Sequence, residues 1–456
     1  MKTLWFEIWD YLRSTLWFVP AVMALAAIAG AFGTVTLDER MTTEWLSHLG
    51  WRYTGGAEGA SLLLSTLAGS MIAVAGTVFS LTLVALSLAT TQLGPGLLRN
   101  FMRDTTNHVV LGTFLATFLY CMLVLRTIRR ADESVFVPHL SVSIAILLGV
   151  ASLGVLIYFI HHVSVSIQTE EVVARVGRDL IRGIDRLFPG PSGQLGPQNA
   201  TAASDAGLPE AFEDEARPIG SDEDGYLQRI DLDALAALAA REDLCIRLER
   251  RPGQYLVKGH ALLTVWPGDR VDDTLGHEVH AAFVIGHQRT DAQDVEFTII
   301  QLVEIAVRAL SPGINDPFTA IACIDRLGAG LCRLAMRDMP SASRFDTQGS
   351  LRLVAPGCSF VGLLGTAFSQ IRQNARANPA VLTRLLETIA QVATVAHRRE
   401  DRVALAHHAA MLARAAREAV PEPEDRRAVE ERFEAAMLVL MAPADGGQMT
   451  VSSQGD

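Results

Sequence analysis

The sequence predicts a mainly α membrane protein, with four N-terminal transmembrane helices followed by a cytoplasmic α+β and then helical region. Half of the 456 residues are apolar and only 20% are charged, less charge than a water-soluble chain of this length normally needs to cover its surface. Four apolar stretches of spanning length crowd the first third of the chain, and mixed strand and helix patterns occupy the rest. The balance of 50 acidic against 39 basic residues, net −11, argues against a nucleic-acid partner held by phosphate neutralisation. Five scattered cysteines form no CxxC pair, so neither a disulfide framework nor a structural zinc site is indicated, and no cofactor is implied.

A bilayer core of about 30 Å takes roughly 20 mainly apolar residues in a helix. The first such stretch is Leu16 to Leu37, with Trp17 near the interface and Pro20 where an entering helix tolerates it. The second lies in the charge-free run between Gly59 and Arg99, and a helix of about 32 residues there would reach roughly 48 Å, overhanging the hydrocarbon or tilting strongly. The third runs from Val109 to Leu125 and the fourth from His139 to Ile160. A cleaved signal peptide accounts for none of the last three. An even number of spans puts both termini on one side. Lys2, Arg13, Arg99, Arg103, Arg175, Arg178, Arg182 and Arg186 flank that side, against Arg40, Arg52, Arg126, Arg129 and Arg130 on the other. The excess places both termini in the cytoplasm of a bacterial inner-membrane protein.

Around and beyond the end of the four-helix domain of residues 1–165, Val165, Val172, Val176, Leu180 and Leu187 recur at helical spacing and predict an amphipathic connecting helix over 166–188. Residues 189–225 are rich in Pro, Gly and acid, with eight acids and one Arg between Asp205 and Asp224, and read as a flexible linker. Residues 226–290 alternate short apolar runs with turn signals, which predicts a small α+β domain. A helical domain follows over 291–442, and 443–456 is a polar tail.

Gly76, Ser80, Ser87 and Thr91 interrupt the second span and share one helical stripe. In a symmetric oligomer such a stripe can line a pore, because hydroxyls coordinate ions without a buried charge. The alternative is a packing seam whose hydroxyls bond back to their own helix. After that span, Gly94, Pro95 and Gly96 break the helix. Arg99, Arg103, Asp104 and His108 then form an interfacial or gating segment, in which Asp104 and His108 face one another if the third helix starts early. The spans otherwise lack Asp, Glu, Lys and Arg, which argues against a buried-carboxylate proton relay.

The string SPGINDP brings Ser311, Asn315 and Asp316 together where Pro312 ends one helix and Pro317 opens the next. It is a tight joint, an anion nest if Asp316 points away, or a cation site if Asp316 and carbonyls converge. HEVH at 277–280 lacks the spacing that puts two histidines on one helical face, and the adjacent pairs His161–His162 and His407–His408 are poor chelates. Neither a GxSxG elbow nor a P-loop occurs, so catalytic and metal residues have no support.

The chain resembles the DUF2254 family of predicted bacterial membrane proteins. The resemblance rests on GTVFSLTLVALSLATTQLGPGLLRNFMRD, FLATFLYCMLVLRTIR, GYLQRIDLDAL and IGHQRTDAQDVEFTIIQLVEIAVRALSPGINDPFTA, in that order and covering most of the chain. It implies a helical integral membrane protein and assigns no substrate or reaction. The family carries Pro-Arg where this chain has Pro95 and Gly96, a departure that weakens an anion-binding role there.

The expected function is a homo-oligomeric ion channel or channel-like transporter, with cations mildly preferred because the chain is acidic and the stripe neutral. The lipid bilayer, further copies of the chain and an inorganic ion are its expected partners. A membrane-anchored sensor or scaffold is the second reading, and an enzyme acting on a membrane-associated substrate the third.

Overall fold

The structure is a computed structural model that describes residues 17–40, 53–93, 105–129, 136–166, 168–188, 190 and 207–442; the side chains of 88–93 and 166 fall outside that description. The chain divides into two compact units, Met1–Glu171 and Val172–Asp456.

The first unit holds helices α1 (Phe18–Arg40), α2 (Ala57–Leu93), α3 (Thr105–Thr127) and α4 (His139–Ser166). All four are long and apolar enough to cross a membrane. Helix α2 is longer than the expected run of about 32 residues: its 37 residues extend roughly 55 Å. The third helix also begins four residues earlier than expected, which draws His108 into its first turn. Within this unit α3 is the central helix, packing against α1, α2 and α4. Small residues make the approach possible: a Cβ at Gly112 of α3 would sit 2.5 Å from Met23 Sδ and 3.2 Å from the Pro20 backbone of α1. On α2 the buried apolar row is Ala60, Leu64, Ala68, Met71, Ala75, Val78 and Ala85, at steps of three or four apart from one step of seven. Among the described residues, buried hydroxyls between the helices find partners within the bundle, as lipid requires. The Thr117 and Ser152 hydroxyls lie 3.2 Å apart between α3 and α4, and the Tyr120 hydroxyl meets that of Thr34 at 2.9 Å.

The second unit opens on α5 (Thr169–Leu187), whose buried face is Val173, Val176, Gly177, Leu180, Gly183 and Ile184. Val165, expected near this face, instead ends α4 and is exposed. Residues 207–225, inside the stretch expected to be linker, carry α6 (Phe212–Glu215) and strand β1 (Arg217–Gly220). Phe212 is fully buried there, under the Arg247 guanidinium at 4.9 Å. A single aromatic anchor among acids was not legible as order.

Then follow β2 (Gly225–Ile230), α7 (Leu232–Arg241), β3 (Cys245–Leu248), β4 (Tyr255–Leu256), β5 (Ala261–Trp266), α8 (Asp273–His280) and β6 (Phe283–Gly286). The helical part is α9 (Val295–Ala309), α10 (Pro317–Ala335), α11 (Phe360–Ala375), α12 (Pro379–Val395), α13 (Arg399–Ala419) and α14 (Pro423–Met441), with β7 (Ser343–Phe345) and β8 (Leu351–Val354) between α10 and α11. One sheet runs β1-β5-β3-β8-β7 and the other β4-β2-β6. Only β3 and β8 pair in parallel, Ile246 opposite Leu353. The larger sheet therefore recruits strands from both sides of α9 and α10, and its core is continuous from Ile219 to Leu353. Asp231, Asp272, Asp294, Asp316, Ser359 and Asn378 each cap the helix they precede.

Candidate functional site

Gly76, Ser80 and Ser87 are exposed on the surface of the four-helix unit, on the side of α2 opposite its buried row. A Cβ at Gly69 or Gly76 would touch nothing within 4 Å. The stripe thus does not line a path enclosed by the four helices of one chain; it faces whatever surrounds them. Neighbouring hydroxyls are satisfied internally. Thr66, Ser70, Thr77 and Thr82 each donate to the carbonyl four residues before, at 2.7 to 3.1 Å. Thr91 lies on the helical backbone, with its side chain outside the described residues.

Of the interfacial segment, Arg99, Arg103 and Asp104 lie outside the described residues, so the expected facing of Asp104 and His108 lies outside them too. His108 is buried in the first turn of α3, next to Asn107, whose buried Oδ1 has no hydrogen-bond partner.

The SPGINDP joint is built in detail. Ser311 Oγ donates to the Arg308 carbonyl at 2.7 Å, and the N–H of Asn315 and of Asp316 donate to the Ser311 and Ala309 carbonyls. Asn315 takes φ +50°, a left-handed conformation that Asn tolerates. Asp316 Oδ1 accepts from the N–H of Phe318 and Thr319 at 3.1 Å each, and the Thr319 hydroxyl donates to Oδ2 at 2.5 Å. That hydroxyl, with the two N–H donors, holds the Asp316 carboxyl below the usual carboxylate range. The carboxylate therefore occupies the N-terminus of α10 itself, and the anion nest, which needs Asp316 turned away, is not formed. Ile314 and Phe318 project from the joint, Phe318 81% exposed.

Sequence reasoning did not single out the cluster that joins the RPGQ turn to α9 and α11. Arg251 donates to Glu296 Oε2 and to Cys358 Sγ, both at 2.8 Å. Thr366 donates to the other oxygen of Glu296 at 2.9 Å. Arg289 reaches Asp294 Oδ2 through Nε and Nη2 at 2.9 and 2.6 Å, while Asp294 Oδ1 caps α9 through Phe297 N–H. The available signal was the charge-dense run RTDAQDVE directly before an apolar helix. Burial pushes the Cys358 thiol up against the pull of Arg251, so this sulfur stays protonated and is a weak nucleophile. Cys323 is pushed up to about 12 by the same cause. His280 is committed to the Gly220 carbonyl and the Asp222 carboxylate. Among the described residues no three His, Cys, Asp or Glu side chains gather as a metal-binding group.

The four apolar helices and their packing identify a membrane protein, and comparison with known proteins agrees. The profile of the family described as predicted membrane protein (DUF2254) matches residues 13–391. The uncharacterized proteins Mb1321c of Mycobacterium bovis and Rv1290c of Mycobacterium tuberculosis are each 33% identical over 430 residues, covering 92% of this chain and 80% of theirs. No solved structure matches significantly. The chain belongs to the DUF2254 family of predicted membrane proteins.

Proposed function

We propose that the protein is a homo-oligomeric inner-membrane channel or channel-like transporter, with α2 of each copy nearest the central axis and both termini cytoplasmic. The observation that carries this reading is the outward face of α2. A helix surrounded only by lipid gains nothing from Gly76, Ser80 and Ser87 on its exposed side, whereas copies meeting there gain close approach and a hydroxyl-lined axis. The uncharged lining favours a weakly bound cation over a tightly coordinated one. The soluble unit serves in assembly and gating, with the Ser311 to Asp316 joint as its candidate contact.

A second reading, a membrane-anchored sensor or scaffold, draws support from the hydroxyls of α2 that are already bonded to their own helix. Ion flux from proteoliposomes of the purified protein separates the two. Selective flux that is lost in Ser80→Leu, Ser87→Leu, with assembly intact, supports the channel. Absence of flux across pH, voltage and osmotic stress moves the function to the sensor.

A further inference from the structure

The SPGINDP joint carries two apolar side chains that the second unit leaves uncovered: Phe318 is 81% exposed and Ile314 47%. From Ser311 to Phe318 the only charged residue is Asp316, and its carboxylate is turned inward onto the N–H groups and hydroxyl at the start of α10. Single exposed apolar residues are ordinary on a protein surface, so the meaning of these two depends on which end of the unit they occupy.

Packing inside the second unit fixes that end. A Cβ at Gly177 of α5 would lie 2.9 Å from the Arg326 side chain of α10, and one at Gly330 of α10 would lie 2.5 Å from Leu180 of α5. Farther along, Arg333 and Arg337 both pair with Asp185. Successive residues of α5 thus meet successive residues of α10, and the two helices run parallel. Helix α9 starts beside Gly183, where an added Cβ would lie 3.5 Å from Val295, and it packs along α10 on its way to the joint. Val172, the first residue of the unit, stands five residues before Gly177, and Phe318 stands eight before Arg326. At about 1.5 Å per residue, Phe318 lies at least as far toward that end as Val172. A helical side chain leans toward the N-terminus of its helix, which carries Phe318 outward from the same end.

Chain continuity supplies what lies there. Helix α4 has 28 residues, about 42 Å, which matches a bilayer with its headgroups, roughly 40–45 Å. Six residue steps carry the backbone from Ser166, the last of α4, to Val172. Part of that path is folded into turns, with Gln168 N–H donating to the Val165 carbonyl and Glu171 N–H to that of Gln168. Even drawn straight, such a path reaches only about 20 Å. The end of the second unit that holds Ile314 and Phe318 is thereby tethered to the headgroup layer from which α4 emerges.

We propose that Ile314 and Phe318 insert into the lipid interface at that surface, as an apolar wedge seated at the boundary of headgroups and acyl chains. The joint named above as a candidate contact of the second unit thereby has a lipid partner. This rests on α4 crossing the membrane and stands whether or not the protein conducts ions.

The test is the depth of spin labels in full-length protein, its five native cysteines replaced, reconstituted in phosphatidylcholine vesicles. Phe318→Cys and, separately, Ile314→Cys are labelled, with Ala329→Cys as the reference, an exposed site on α10 eleven residues farther on. Phe318 meets Asp316 through its backbone N–H, so its replacement leaves that cap in place. Collision with oxygen, which concentrates in lipid, is compared with collision with a nickel chelate, which stays in water. The expected result is an oxygen-to-nickel ratio several-fold higher at 314 and 318 than at 329. A ratio at 318 equal to that at 329 overturns the proposal, because the joint is then in water. A label shielded from both reagents also overturns it, since a protein surface, of this chain, another copy or a partner, then covers the joint. Because exchanging five cysteines can unsettle the fold, Phe318→Trp in the chain with its cysteines intact gives a second reading. Lipid brominated near the headgroup end of its acyl chains should quench the emission that this tryptophan adds to the parent's, and added emission that escapes quenching overturns the proposal. Neither readout involves ion flux, so a failure of the channel reading is separate from a failure of this one.

Discussion

Asp38, in the last turn of α1, caps a helix that begins a hundred residues later: Oδ2 accepts from Ser141 N–H at 2.9 Å and from Ser141 Oγ at 2.7 Å, and Oδ1 accepts from Leu140 N–H at 3.0 Å. This one carboxylate satisfies donors at the start of α4 that lipid cannot, and it ties the first and fourth helices at one end of the bundle. Asp38→Ala should cost about 1–2 kcal/mol, and Asp38→Asn, which keeps one acceptor, less. Thermal unfolding in detergent checks the order, and an Ala variant as stable as the parent would remove the cap from the account.

Arg402 plays the corresponding part in the second unit. Its Nη1 donates to the Ala393 and Ala396 carbonyls at 2.9 and 3.2 Å, and its Nη2 to those of Val439, Leu440 and Ala442 at 2.8 Å each. Orphan carbonyls at the C-termini of α12 and α14 thereby converge on one cation from α13. Arg402→Met should cost about 2–4 kcal/mol, because it strands several buried acceptors at once, and Arg402→Lys should fall between, having a point charge in place of a planar fork. Denaturant unfolding of the three proteins gives the ranking.

What was legible in the sequence follows from the range of the interactions involved. The four spans are visible because twenty consecutive apolar residues suffice to define each, and the helix start after Asp316 because a cap and its helix are neighbours. The pairing of β3 with β8 was not legible, since Ile246 and Leu353 are far apart in sequence and each strand is only four residues long. The stripe on α2 was legible as a stripe, but which way it faces depends on α3 packing against the other side. The open cavity lined by Arg398, Val403 and His408 was the least accessible: adjacent histidines read as a poor chelate, and Val361 of the same lining comes from another helix, α11.

The same histidine predicts a pH dependence. Burial, aided by His407 and Arg372, pushes His408 down to about 4, against about 6.5 in the unfolded chain. A depressed folded value means the stabilisation is complete above 6.5 and is lost as pH falls toward 4. Lowering pH from 6.5 to 4.5 should remove about 2 kcal/mol through this group. His408→Gln should be less stable or equal at pH 7.5 yet lose less on acidification. Parallel pH titrations of unfolding test this, and identical acid slopes in the two proteins would assign the loss to other groups.

The outward stripe predicts contact between copies. After the five native cysteines are replaced, Ser80→Cys should form a disulfide-linked dimer in membranes on mild oxidation, since two such sites meeting on an axis bring Cα atoms within about 7 Å. Ala75→Cys, 3% exposed on the packed side of the same helix, should stay monomeric. Failure to cross-link at Gly76, Ser80 and Ser87 alike would leave that face to lipid.

Gly253 holds the RPGQ turn against the charged cluster for two separable reasons. Its φ of +91° is open to glycine and strained for other residues, and an added Cβ would lie 2.0 Å from Asp294 Oδ2 and 2.8 Å from Arg289 Nη2. Neither partner can retreat freely, because Asp294 also caps α9 and is 3% exposed. Gly253→Ala should therefore cost more than about 2 kcal/mol, beyond the strain of the backbone alone. Gly253→Asn distinguishes the causes. Asparagine tolerates positive φ, so if strain dominated it would recover much of the loss, whereas crowding against Asp294 makes it as damaging as alanine. The expected result, from thermal unfolding of both variants, is the second: Asn no better than Ala, with the position closed to any side chain while the Arg289–Asp294 pair is in place.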